Sequence, residues 1–152
     1  MCHRHSGLIG ALIISLVYLP AAFDACRSRP MWHDELYTFY ISQQPTVGAM
    51  WHAIRSFDLN PPLSYLLTRL SFHIFGINTL ATRLPEMIFF LAFLLSVFFF
   101  ARRRLGTLFG LFVTAALLQT DTFSFSVEAR PYALMLAGSG VALLCWQTAI
   151  DA

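Results

Sequence analysis

Residues 84–104 read LPEMIFFLAFLLSVFFFARRR. Eighteen of them, 84–101, form a stretch whose one charge is Glu86 near its start, and three arginines close it. A helix of that length rises about 27 Å, close to the hydrocarbon thickness of a bilayer. The basic cluster behind it marks a cytoplasmic turn, because short loops rich in Arg stay on the inner face. This one stretch places the chain in a membrane.

The whole composition agrees. Of 152 residues, 57% are hydrophobic and 12% charged, with a mean hydropathy of +0.64. Soluble domains carry about 25% charged residues. Fifteen Phe and long apolar runs exclude disorder. A nucleic-acid-binding domain is excluded too, since the net charge is +2 and the ten basic residues, all Arg, are spread along the chain. Cys2, Cys26 and Cys145 are odd in number and form no disulfide framework.

Outward from the central stretch, three more spans are expected. A basic head, His3-Arg4-His5, precedes an apolar run at 7–23, read as an uncleaved signal anchor rather than a cleaved signal peptide. After the triple Arg, 105–120 returns across the membrane, with Gly106 and Gly110 able to let a neighbour approach closely. Residues 131–150 give the last span. The expected fold is therefore an all-α integral membrane domain of about four transmembrane helices. Its basic turns lie inside, and the segments 24–83 and 121–130 lie outside.

Segment 24–83 is too charged to span as a whole, yet it carries Trp32, Tyr37, Tyr40, Trp51 and Tyr65, rings that suit the headgroup level. Interfacial amphipathic helices are expected over 35–42, 46–57 and 61–76. The last holds Arg69 and His73 on one stripe. Sixteen residues rise only about 24 Å, and an Arg in mid-bilayer costs about 2.5–3.5 kcal/mol. A helix lying on the membrane is the expectation, and it keeps Asp34 and Glu128 on one face.

Both outside segments set acids beside rings and bases: Trp32-His33-Asp34-Glu35, and Glu128-Ala129-Arg130-Pro131-Tyr132. Two acidic loops over one face can supply a base and a second orienting carboxylate. Composition alone favours solvated loop charges over a site. His33 and His52 match no ligand spacing, and H-E-x-x-H is absent, so zinc is not indicated and the metal, if any, is unknown.

The order of motifs carries more. MWHDELYTFY, DLNPPLSYLLTRLSFHIFG, ATRLPE, ARRRLG and SFSVEARPYAL together resemble the start of the GT-C membrane glycosyltransferases. The likeness is to the bacterial branch known as glycosyltransferase family 39, related to protein O-mannosyltransferases and the lipid A aminoarabinose transferase. It covers about residues 30–150. The resemblance implies a multi-pass enzyme of the bacterial inner membrane that transfers a hexose or pentose from a polyprenyl-phosphate donor to an acceptor on the extracytoplasmic face. It implies Asp34 as the base, Glu35 and Glu128 as companion acids, and Asn60, Arg83, Arg130 and Tyr132 as substrate-binding residues. Arg130, Arg83 or a divalent cation could steady the departing phosphate.

Two positions depart from the family pattern. Asn60 stands where His often precedes the Pro-Pro pair. Glu86 stands where a small residue is usual, and is expected to pair with Arg83 or to face water. Family members have roughly a dozen spans, so an N-terminal portion is expected. The rival reading is a small non-catalytic membrane protein that binds lipid or a partner chain. A transporter fragment is disfavoured, because nearly all the charges lie outside the spans or at their ends.

Overall fold

The computed structural model describes residues 2–150, with side chains from His5 onward. The side chains of the basic head at His3 and Arg4, and residues 1, 151 and 152, lie outside that description. Every regular element among the described residues is helical. These are α1 (Cys2–Ser28), α2 (His33–Ser42), α3 (Val47–Phe57), α4 (Pro62–Phe75), α5 (Thr79–Leu105), α6 (Thr107–Leu118) and α7 (Tyr132–Ile150), with a 3-10 segment at Asp121–Ser126.

Three helices are long and apolar enough to cross a membrane: His5–Ser28, Thr79–Leu105 and Tyr132–Ile150. Helix α6 is apolar but has 12 residues, a rise of about 18 Å, shorter than the 16-residue segment expected there. Its start is set by Gly106, whose φ of +88° suits glycine and whose N–H closes α5 on the Arg102 carbonyl. Gly106 therefore makes the turn, where an added Cβ would meet nothing within 4 Å, whereas Gly110 does the close packing. A Cβ on Gly110 would stand 3.0 Å from the Phe98 ring, and one on Gly10 of α1 would run into the same ring.

Helix α5 begins five residues before the apolar stretch. The Asn78 side chain caps it by accepting the Ala81 N–H at 2.8 Å, which draws Arg83, Pro85 and Glu86 into the helix. Its last turn holds Arg102, Arg103 and Arg104, cations placed well for the negative end of a helix dipole.

The core lies along α5. Ile14, Tyr18, Ala22 and Cys26 recur every four residues on α1 and meet Met87, Phe90, Leu94 and Phe98. The Tyr18 hydroxyl donates to the Met87 carbonyl at 2.8 Å, so a buried polar tip finds a partner. Outward faces carry Leu8, Leu12, Leu16, Leu108 and Phe112, exposed apolar side chains of the kind that suits lipid.

Side-chain bonds give the helices their directions. Arg83 reaches the end of α1, while Arg102 reaches Ser6 near its start, so α1 and α5 are antiparallel. Helix α7 runs parallel to α5, with Leu134 beside Glu86 and Gln147 beside Phe100. One end thus gathers Ser6, Arg102, Arg103 and Thr148. The other gathers the exit of α1, the starts of α2, α5 and α7, and the segment 121–131.

Helices α2, α3 and α4 sit at this second end around Ile41, Met50, Ile54 and Tyr65. Thr46 caps α3 at the Ala49 N–H. Arg69 of α4 donates to the carbonyls of Ser42, Gln44 and Pro45, which close α2. Satisfying three carbonyl groups at a helix end accounts for a charge in an otherwise apolar helix. Both ends of α4 lie at the second end of the bundle, because Tyr65 touches Asp58 and Gly76 leads directly into the cap of α5.

A candidate acidic site at one end of the bundle

Glu35 is the third residue of α2, and its carboxylate reaches back to the Trp32 N–H at 2.9 Å. The same carboxylate takes two bonds from Arg83, Nε to Oε1 at 2.8 Å and Nη2 to Oε2 at 2.7 Å, and a fourth from the Ala129 N–H at 2.8 Å. Arg83 spends its remaining donors on the carbonyls of Cys26, Arg29 and Pro30. All five guanidinium N–H groups are then used. Both side chains are 1% exposed. Burial pushes the Glu35 carboxyl up, but Arg83 and the two backbone N–H groups outweigh it and hold it below the ordinary glutamate range.

This geometry gives Glu35 and Arg83 a different place from the one the resemblance implies. Neither has a lone pair or N–H left for an acceptor or a phosphate. They tie α1, α2, α5 and the 127–131 segment together.

Asp34, one residue earlier, is turned the other way and its side chain is 62% exposed. Arg130 stands 3.9 Å from its Oδ2 and bonds Asp58 Oδ2 at 2.6 Å. Asp58 is 10% exposed and also accepts from the Tyr65 hydroxyl and the Asn60 amide, both at 2.6 Å. So Asn60 serves by orienting an acid. Arg130, 15% exposed, keeps its Nε buried and without a hydrogen-bond partner among the described residues. Burial disfavours its charge, but Asp58, Tyr132 and Asp34 more than restore it. Burial and the Asp58 carboxylate raise the Tyr65 hydroxyl well above the ordinary tyrosine range, so it stays a donor.

Arg130 is aimed by its neighbour. Ala129 is 2% exposed, with its N–H on Glu35 and its carbonyl accepting the Thr38 hydroxyl at 2.7 Å. Clamped at both backbone groups, Ala129 sends Glu128 and Arg130 to either side. Glu128 is half-buried, and no hydrogen bond or ion pair joins it to Asp34 among the described residues. Burial and the Glu35 charge push its carboxyl up, against Ser124, Arg29 and Arg83. Tyr132 packs on Phe125, ring centroids 5.0 Å apart.

Glu86 neither pairs with Arg83 nor faces water. It is 3% exposed and accepts the Leu134 N–H at 3.2 Å, capping α7 from the adjacent helix. Sequence reasoning missed Asp58 and Tyr65 as site residues, although both stand in the DLNPPLSY motif with Asn60. Among the described residues, no three His, Cys, Asp or Glu side chains come together to hold a metal ion.

A family model described as dolichyl-phosphate-mannose-protein mannosyltransferase matches residues 59–152, well over half of the chain. The chain belongs to that family. No curated protein and no solved structure matches it.

Proposed function

We propose that this member of the dolichyl-phosphate-mannose-protein mannosyltransferase family transfers a sugar from a polyprenyl-phosphate carrier at the end of the bundle that holds Asp34. On this reading α1, α5 and α7 span the membrane and the shorter α6 belongs to the return pass, so that end lies outside and the triple-Arg turn inside. Helices α2 to α4 lie on the outer surface.

One observation supports the chemistry above the rest: an exposed carboxylate, Asp34, shares a guanidinium with a second acid that is itself firmly held. Asp34 takes the proton of the acceptor hydroxyl as its oxygen bonds to the anomeric carbon. The bond from that carbon to the phosphate oxygen breaks, and its electron pair leaves on the phosphate. Arg130, anchored by Asp58, meets the charge that develops there. Phosphate leaves readily, so one base and one fixed cation suffice.

The test is Asp34→Asn in membranes supplied with polyprenyl-phosphate mannose. Transfer should fall about 10²–10⁴-fold, the usual contribution of a positioned base, with normal accumulation of the protein. Near-normal turnover would remove Asp34 from the reaction. The face is tested separately with the native cysteines replaced: Asn78→Cys should react with an impermeant thiol reagent in intact cells, and Thr107→Cys should not.

A further inference from the structure

A groove of about 860 Å³ runs along the outside of α1, walled by Leu12, Leu16 and Phe23 and, across from them, by Leu84 and Phe75. Its lining is almost wholly apolar. Leu80 lies both in this groove and in a smaller cavity of about 340 Å³ at the end of α1, which Arg27 and Arg29 border. A second contact links their walls, since the Arg27 guanidinium of the smaller cavity sits 5.5 Å over the ring of Phe23 of the groove, one turn earlier. Neither Arg27 nor Arg29 has a carboxylate within ion-pair distance among the described residues.

An apolar trough whose end adjoins Arg27 and Arg29, the second already within the longer-range field of Glu128, fits an amphiphile with a hydrocarbon chain and a phosphate. The arginines stand at the end of a membrane-length helix, the level of lipid headgroups. We propose that this groove is a binding site for an anionic glycerophospholipid of the phosphatidylglycerol class. A zwitterionic lipid would bring an ammonium against the same two arginines, so charge selects the anionic headgroup.

The occupant is a resident lipid and not the sugar donor. The Glu35–Arg83 pair stands between this cavity and Asp34, and none of Asp34, Asp58 or Arg130 borders either space. Arg83 nevertheless links the two regions, because it holds the carbonyls of Cys26, Arg29 and Pro30, the backbone that carries the two arginines. A phosphate bound there steadies the segment on which Arg83 and, through Glu35, Ala129 depend. The site stands whether or not sugar transfer takes place.

The experiment is native mass spectrometry of the full chain in detergent, titrated with phosphatidylglycerol or phosphatidylcholine. The wild type should retain phosphatidylglycerol preferentially. The double variant Arg27→Gln/Arg29→Gln should bind it about 25-fold more weakly, given roughly fivefold for each Arg near a lipid surface, and leave phosphatidylcholine unchanged. Leu16→Trp, which narrows the groove and keeps both arginines, should also weaken binding. Unaltered helicity by circular dichroism separates these losses from misfolding. Equal retention of the two lipids by the wild type would overturn the proposal. Displacement of phosphatidylglycerol by a polyprenyl phosphate would overturn it in favour of a carrier site, and cross-linking of two copies through Leu16→Cys in favour of a protein partner.

Discussion

Asp34 and Glu35 are adjacent acids in the first turn of one helix, and each has an arginine. Around Glu35 and Arg83 every donor and every carboxylate oxygen is engaged, and water is excluded. Around Asp34 both neighbours are distant, with Arg130 3.9 Å from Oδ2 and the exposed His33 ring 3.7 Å from Oδ1, and Arg130 leans mainly on Asp58. A helix turns about 100° per residue, so neighbours in sequence face different surroundings. Saturation makes the first pair a fastener. Incompleteness leaves the second arrangement able to take a proton or meet a charge.

The contrast can be broken most severely at Arg83. Arg83→Ala leaves Glu35 buried without its cation, and such a loss costs about 3–5 kcal/mol. Thermal unfolding in detergent should show a protein that barely accumulates in folded form; a midpoint near that of the wild type would deny the pair its structural role. Next comes Asp58→Asn, which loosens Arg130 without touching Asp34. Hydrogen bonds to charged groups contribute about 1.5–3 kcal/mol, so transfer should fall about 10–100-fold while the fold persists.

Acid titration sharpens the same comparison with smaller effects. Glu35 is held below the ordinary glutamate value of 4.5, so its contribution is complete above that value and is lost as pH falls through the lowered one. Glu128 is pushed above 4.5, so folding favours its protonated form, and that contribution fades as pH rises through the raised value. Glu128→Gln should therefore stabilise the protein slightly at neutral pH and leave the acid limb, due to Glu35, in place. Unfolding midpoints measured between pH 3 and pH 8 would show this, and a lost acid limb in Glu128→Gln would reverse the assignment. The smallest effect belongs to Asp34→Asn on stability, within about 0.5 kcal/mol for an exposed and distant ion pair. A larger loss would mean that Asp34, too, is a fastener.

Local patterns made the all-α membrane fold legible, because apolar runs and the triple Arg speak through composition within a single segment. The start of α5 was less so. Arg83 and Glu86 look like loop charges until Asn78 is recognised as a cap and each charge is given a partner. Those partners stand 48 residues away in both cases, Glu35 for Arg83 and Leu134 for Glu86. Periodicity carries no information about such pairings. For the candidate site, the acids and Arg130 could be picked out from their motifs. The division of labour between Asp34 and Glu35 could not, since it depends on where α5 and Ala129 arrive. Asp58 was hidden for a similar reason: its importance comes from Arg130, 72 residues later.

The Glu35–Arg83 pair also has a consequence for biogenesis. Glu35 is synthesised well before Arg83, so it waits without that partner until α5 packs beside α1 and α2. If α5 inserts upside down, the two residues end on opposite sides of the membrane. Arg83 then keeps its charge with no carboxylate to meet it, at an insertion cost of about 2.5–3.5 kcal/mol where it lies in hydrocarbon. Only one orientation lets the pair close, and closing it draws α1, α2 and the 127–131 segment together in the same step. A contact that closes in one orientation alone therefore favours that orientation, whatever substrate the protein meets later.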